Sequence, residues 1–226
     1  MAGVDAVVEP MEVLIAATSE RIRVLAEKRV DVKVDGDAKL DQNKTSLKVE
    51  AVGDRLTVLV PEGTEVVIGT TSARVEVEGE LGRVAITTES GRISVEAAES
   101  VDARTINGRV ELGRIAGDCR VRSKNGRVTI QSCAAPDVAT VNGAIHLEAV
   151  DGTARAHCVN GRINIKMMSA HDVSAETVGG RINISLPRGV SALQRDITTE
   201  NSVEHGSYDC VIDARSSTGR VSISER

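Results

Sequence analysis

Two stretches decide the fold: Thr105-Ile106-Asn107-Gly108-Arg109-Val110-Glu111-Leu112 and Ser123-Lys124-Asn125-Gly126-Arg127-Val128-Thr129-Ile130. Each is a small polar residue, an Asn-Gly corner, an Arg, then aliphatic residues alternating with polar ones. Working outward, the same unit recurs. The corner residue is Ala73, Gly91, Gly108, Gly126, Gly143, Gly161, Gly180 and Gly219, and the first seven follow one another at 17 to 19 residues. The last gap is 39 residues, room for one degenerate repeat around Asp196–Glu204. A fixed period of this size marks a repeat architecture.

The columns of the repeat assign its faces. Two places after the corner stand Val75, Ile93, Val110, Val128, Ile145, Ile163, Ile182 and Val221. Four places after stand Val77, Val95, Leu112, Ile130, Leu147, Ile165, Ile184 and Ile223. Between them lie Glu76, Ser94, Glu111, Thr129, His146, Asn164, Asn183 and Ser222. This period-two alternation predicts a half-buried strand. Five places before the corner the column is Ile, Val or Ala; three places before, it is Thr, Ser or, at Cys158, Cys. Each repeat therefore reads as strand, tight corner, strand, loop. Asn and Gly are expected at the corner because both tolerate positive φ.

Two architectures accommodate this pattern. Asn-Gly between alternating strands is a strong hairpin signal, so a meander of hairpins fits. A β-solenoid fits better: coil-on-coil stacking demands a nearly constant repeat length, and like residues recur in columns, Thr on Thr and Arg on Arg. The expected fold is all-β, a single-stranded β-solenoid of about eight or nine coils with an N-terminal β cap.

Composition agrees. The chain of 226 residues holds no Phe, no Trp and one Tyr, Tyr208. Its core must be thin and filled by small branched side chains, as between the close walls of stacked coils. The net charge of −5 and the missing aromatics argue against nucleic acid as a partner. Met1–Ala17 shows no basic segment leading into an apolar one, and no apolar run is long enough to span a membrane. The expectation is a cytoplasmic protein with reduced thiols at Cys119, Cys133, Cys158 and Cys210.

Residues 1–60 do not carry the repeat but still read as short strands, with turn signals at Asp35-Gly36 and Gly53-Asp54. They are expected to form an N-terminal β segment or cap, and residues 61–226 the β-solenoid repeat domain.

The run Val58-Leu59-Val60-Pro61-Glu62-Gly63-Thr64, followed by serial Thr-x-x-Gly-x-aliphatic-x-aliphatic units, resembles the DUF4097/DUF2807 β-strand-repeat proteins, a family labelled as adhesins. The resemblance covers about residues 56–226. It implies a β-helix of short strands and an adhesin-like binding role, and supplies no catalytic residues.

One column carries a functional suggestion. The residue after the corner is Arg74, Arg92, Arg109, Arg127, Arg162, Arg181 and Arg220, interrupted only by Ala144. Alternation turns these side chains to solvent, where like charges one strand spacing apart repel. Either nearby acids (Glu76, Glu78, Glu96, Glu111, Glu148) neutralise them, or a polyanionic or acidic protein ligand lies along the stripe. The Thr/Ser column is expected to line the inside as a hydroxyl ladder. The histidines at 146, 157, 171 and 205 occupy different columns, so no metal site is expected, and no cofactor is called for. No GxSxG, HExxH or Walker sequence appears. The expected function is a non-enzymatic structural or adhesin-like binding protein. Alternatives are a self-assembling, bactofilin-like cytoplasmic scaffold whose partner is itself, and a polysaccharide-acting β-helix enzyme.

Overall fold

The computed structural model describes residues 4–6, 12–18, 21–43, 45–195 and 208–225. Among them every regular element is a strand: β1 Val4–Ala6, β2 Glu12–Ala17, β3 Arg21–Glu27, β4 Val32–Asp35, β5 Ala38–Gln42, β6 Ser46–Ala51, β7 Arg55–Pro61, β8 Glu65–Val150, β9 Ala154–Met167, β10 Val173–Leu186, β11 Ala192–Arg195, β12 Cys210–Ser216 and β13 Val221–Glu225. The chain forms two compact units, Met1–Ala116 and Gly117–Arg226. β8 is unusually long because its corners stay in the hydrogen-bonded ladder, so the strand bends without breaking.

Pairing decides between the two architectures. In unit 2, β9 pairs with β10 in parallel, equivalent residue on equivalent residue: Gly161 on Gly180, Arg162 on Arg181, Ile163 on Ile182. β8 pairs with β9 in the same way, Gly143 on Gly161 and Ile145 on Ile163. Hairpins would be antiparallel. The fold is a β-solenoid, and from β8 through β10 these coils stack in chain order.

The corner shows why the repeat has its residue types. No non-glycine described residue has positive φ, so the Asn of each Asn-Gly pair is not there for its backbone. Its side chain links coils instead: Asn142 Nδ2 donates to Asn125 Oδ1 at 2.9 Å and Asn160 Nδ2 to Asn142 Oδ1 at 3.1 Å. The glycine is required by crowding. A Cβ on Gly180 would overlap the carbonyl oxygen of Gly161, and would sit 3.0 Å from Thr177 Oγ1. The Thr/Ser column lies directly inside this corner, and Thr88, Thr140 and Thr177 are all 2% exposed or less. Where these hydroxyls are bonded they reach backbone carbonyls, not one another. Thr88 Oγ1 donates to Ser90 O at 2.9 Å and Ser216 Oγ to Gly180 O at 3.1 Å. No hydroxyl-to-hydroxyl ladder forms: some members bond to corner carbonyls, and the buried hydroxyls of Thr70, Thr105, Ser123 and Thr140 have no partner among the described residues.

The core is made of the predicted columns up to Ile184; in the last repeat Val221 is exposed and Ile223 half-buried. Val75, Ile93 and Val110 in unit 1, and Val128, Ile145, Ile163 and Ile182 in unit 2, are completely buried. Each such side chain contributes about 1.5–3 kcal/mol of burial. Cys119, Cys133, Cys158 and Cys210 are free and buried, Cys158 taking the place of a Thr as a small apolar residue.

In unit 1 the coils are not stacked in chain order. β2 and β3 pair in parallel on one side with β6 and β7 and on the other with β8: Ile22 lies between Leu56 and Val75, Val24 between Val58 and Val77. β2 with β3, and β6 with β7, are therefore coils in register with the repeat, which corrects the expectation that residues 1–60 do not carry it: their order in the stack is not their order in the chain. The outer edge of the β6–β7 coil is covered by β5, antiparallel to β6, and β4, antiparallel to β7. β1 adds to β4. This is the N-terminal cap. Covering an end strand with antiparallel chain removes a template for edge-to-edge association.

Unit 2 uses the same displacement. β12 and β13 pair directly with β10, Ala175 on Ala214 and Ile182 on Val221, and β11 flanks β12. No coil stands between β10 and the last repeat, so the 39-residue gap is not a degenerate coil inserted in the stack. Asp196–Glu204 lies outside the described residues.

Gly180→Ala should lower stability by about 2 kcal/mol or more, because the corner carbonyl beneath it cannot move away from a methyl group. Gly69→Ala, where a Cβ meets nothing within 4 Å, should stay within about 0.5 kcal/mol of the parent. Urea denaturation of the two variants checks this; equal losses would show that corner crowding does not set the glycine column.

Candidate anion-binding face

The strand that follows each corner points its first, third and fifth residues outward. The register adds Arg21 and Arg55 to the predicted Arg column, since Arg21 pairs with both Arg55 and Arg74. The residues before them in sequence are Glu20 and Asp54 rather than Gly, so the motif search passes over both.

In unit 1 the column sits among acids. Arg74 lies 3.9 Å from Glu76 and Arg109 3.6 Å from Glu111. Arg23, two residues beyond Arg21, grips Glu78 through Nε at 3.0 Å and Nη2 at 2.9 Å. Arg74 and Arg109 are thus paired as the neutralised-face alternative expects, while Arg21, Arg55 and Arg92 form no ion pair among the described residues.

Unit 2 differs. Arg127, Arg162, Arg181 and Arg220 are exposed, and none forms an ion pair among the described residues. Two residues on from these and from Ala144 stand Thr129, His146, Asn164, Asn183 and Ser222, and two further on Gln131, Glu148, Lys166, Ser185 and Ser224. Glu148 is the one acid in those positions. Amides and an imidazole are tied into a directional chain: Asn183 Nδ2 donates to Asn164 Oδ1 at 2.7 Å, and Asn164 Nδ2 contacts His146 Nδ1 at 2.9 Å. With Asn164 Oδ1 occupied by Asn183, its amide donates to the ring. Nδ1 is then an acceptor, and neutral His146 carries its proton on Nε2. Burial holds the His146 pKa below the usual value, helped by the positive charges of Arg127 and Arg162 and opposed by Glu148.

The strand before each corner provides a contrast in the same unit. There Asp137 accepts from Arg122 at 2.7 Å and lies 3.6 Å from Arg120. His157 is 3.4 Å from Glu176, and Arg215 donates to Asp213 at 2.8 Å. The hydrogen bond from Arg122, and then the charges of Arg122, Arg120 and Arg155, hold Asp137 below the ordinary carboxylate range against the opposing effect of burial. One outward face of unit 2 is paired; the other is an uncompensated cationic strip lined by amides and hydroxyls.

Other titratable groups form no second centre. His205 lies outside the described residues, and among those described no three His, Cys, Asp or Glu side chains gather as metal ligands. Cys119 and Cys133, one on each side of the same corner, hydrogen-bond to each other. That bond and burial push the Cys119 thiol upward, a pairing that the absence of CxxC spacing concealed. No described helix is long and apolar enough to cross a membrane.

The match of a family model to residues 11–209 now places the fold. The chain belongs to the Toastrack DUF4097 family. The match begins well before the repeats visible by spacing, in agreement with the coils at residues 12–61. Two crystal structures are similar to this Toastrack chain. One, a "putative adhesin" from Bacteroides fragilis, has a TM-score of 0.48 and 14% identity over 100% of this chain and 96% of the other. The second, a "putative cell adhesion protein" from Clostridium sporogenes, has a TM-score of 0.27 and 9% identity over 100% of both chains. No curated protein matches.

Asp137 is depressed by its arginines, so the stability it lends is present above the unfolded carboxylate pKa and is lost as pH falls through the lower folded value. Asp137→Asn should therefore cost up to about 1 kcal/mol at pH 7, and the difference from the parent should shrink below about pH 4. Thermal melts across that range test the pairing; a constant difference would mean that the carboxylate charge contributes nothing.

Proposed function

We propose that this chain is a non-enzymatic binding module whose ligand is an acidic polysaccharide laid along the Arg127–Arg220 strip of unit 2. The observation that supports the reading is the split in charge compensation. Arg120, Arg122 and Arg215 on the other outward face of unit 2 have carboxylates within ion-pair reach, while Arg127, Arg162, Arg181 and Arg220 have mostly amides and hydroxyls beside them, with Glu148 the one acid. Stacked cations about 4.8 Å apart repel. A column of them without acids weakens the fold and gains its value from an external anion. Arg suits that task because its planar fork binds sulfate, phosphate and carboxylate groups bidentately. The neighbouring amides and hydroxyls offer further hydrogen bonds without adding negative charge.

The chain has no Phe or Trp, which disfavours ligands held by base stacking. An acidic polysaccharide recognised through its charged groups needs no such platform. The covered edge of the β6–β7 coil argues against the self-assembling alternative at that end. Four unpaired, buried thiols support a reducing, cytoplasmic setting, which belongs to this proposal and not to the fold.

The test is retention on heparin as the acidic polysaccharide probe, with its salt dependence. Arg162→Gln/Arg181→Gln/Arg220→Gln should elute at clearly lower salt, with the slope of log K against log salt reduced by about one per charge removed. Arg74→Gln/Arg109→Gln in unit 1 should elute close to the parent. Equal losses in both variants would mean that net charge alone governs retention, and would overturn the proposal.

A further inference from the structure

The Arg column of unit 2 is broken at one place, and the break is flanked by particular chemistry. Ala144 pairs with Arg162. On its other side Gly143 packs against the carbonyl of Gly126, which puts Arg127 next to Ala144. The two guanidinium groups on either side of Ala144 therefore spring from strands two spacings apart, about 10 Å. Elsewhere in the column, neighbouring arginines are one spacing apart, and an anion can sit only over them. At Ala144 the methyl side chain leaves the space between the forks open.

His146 borders the same opening from two residues along the strand. It is half-buried, and Asn164 holds its Nδ1, so the neutral ring offers an Nε2–H donor. The charged groups acting on it are Arg127, Arg162 and, in opposition, Glu148.

We propose that the Arg127–Ala144–Arg162 notch is a site for one tetrahedral oxyanion, a sulfate or phosphate ester group of the bound anionic chain, held between two guanidinium forks. The inference rests on the anion-binding reading of this face and names the group that the face selects. Bidentate Arg bonds on opposite sides suit a tetrahedral anion, whose oxygens point both ways; a planar carboxylate presents its two oxygens to one side. An anion in the notch also offsets the two arginines that disfavour imidazolium. Occupancy raises the His146 pKa, and affinity increases as pH falls through the range between the free and bound values.

The test follows the His146 ring by NMR in the full chain while inorganic sulfate is added, with His146→Gln to assign the signal. The expected result is a saturable shift and a raised His146 pKa. Ala144→Arg restores the residue that its neighbouring coils carry, yet it fills the opening and keeps the two forks from closing on one anion; sulfate binding should weaken about tenfold or more, the worth of one charge-assisted hydrogen bond from a fork that no longer reaches the anion. Ala144→Gln, which fills the space without charge, should weaken it likewise, and Arg215→Gln, on the other outward face and paired with Asp213, should leave it unchanged. Sulfate binding in Ala144→Arg as tight as in the parent, or no response of His146 in the parent, overturns the notch. Heparin retention of the same variants separates the two ideas: an unretained parent sinks the polysaccharide reading, whereas a retained parent with an unresponsive His146 sinks the notch alone.

Discussion

The structure depends on how closely one corner can lie on the next. Gly161, Gly180 and Gly219 each pass so near the carbonyl of the previous corner that a Cβ has no place. That contact fixes the register, because sliding a coil by one residue would bring a side chain onto the carbonyl and turn the aliphatic columns to solvent. It also sets the residue inside the corner. Thr177 Oγ1 and Ser216 Oγ lie 3.0 and 2.7 Å from where a Cβ on the neighbouring glycine would stand, so only a small side chain fits. Threonine, serine and, once, cysteine answer the same steric requirement. The close walls that result leave room for Ile, Val, Leu and Ala and none for aromatic rings.

Register has an electrostatic consequence. In a parallel stack every residue stands beside its own equivalent, so a repeated residue type becomes a continuous column. For Asn this is favourable: an amide is both donor and acceptor, and each can pass a hydrogen bond to the next. For Arg it is not. Two unit charges about 4.8 Å apart in water repel by about 1 kcal/mol, less in salt. Unit 1 resolves this by placing Glu76, Glu78 and Glu111 within reach of arginines on the same face. Unit 2 leaves Arg162 beside Arg181 with Asn164 and Asn183 as neighbours. The fold does not need this arrangement, since Ala144 occupies the same column with Ile145 still completely buried beside it.

Much of this was legible from the repeat itself. The aliphatic columns predicted the core except in the last repeat, where Val221 is exposed and Ile223 half-buried, and the constant spacing predicted stacking over hairpins. The Arg column was visible where a Gly or Ala corner preceded each Arg. What escaped had physical reasons. The coils at residues 12–27 and 46–61 are out of chain order, so Arg21 and Arg55, adjacent in space, stand 34 residues apart in sequence. Asn-Gly was read through its backbone preference, whereas Asn142 and Asn160 serve through their side chains. Whether an arginine is neutralised depends on residues in the next coil as well as its own, and only the register supplies those neighbours.

The same logic gives meaning to an interruption. In a column whose members repel, replacing one Arg by Ala relieves two repulsive contacts, so Ala144 is the least strained point of the unit 2 strip. It is also where the amide chain from Asn183 through Asn164 ends, on the ring of His146. A chain of amides needs a terminal acceptor, and neutral imidazole provides one while keeping a proton on its other nitrogen. The relieved repulsion, the terminated ladder and the remaining donor all meet beside one small side chain. A surface whose charges served only solubility would gain nothing from having them coincide.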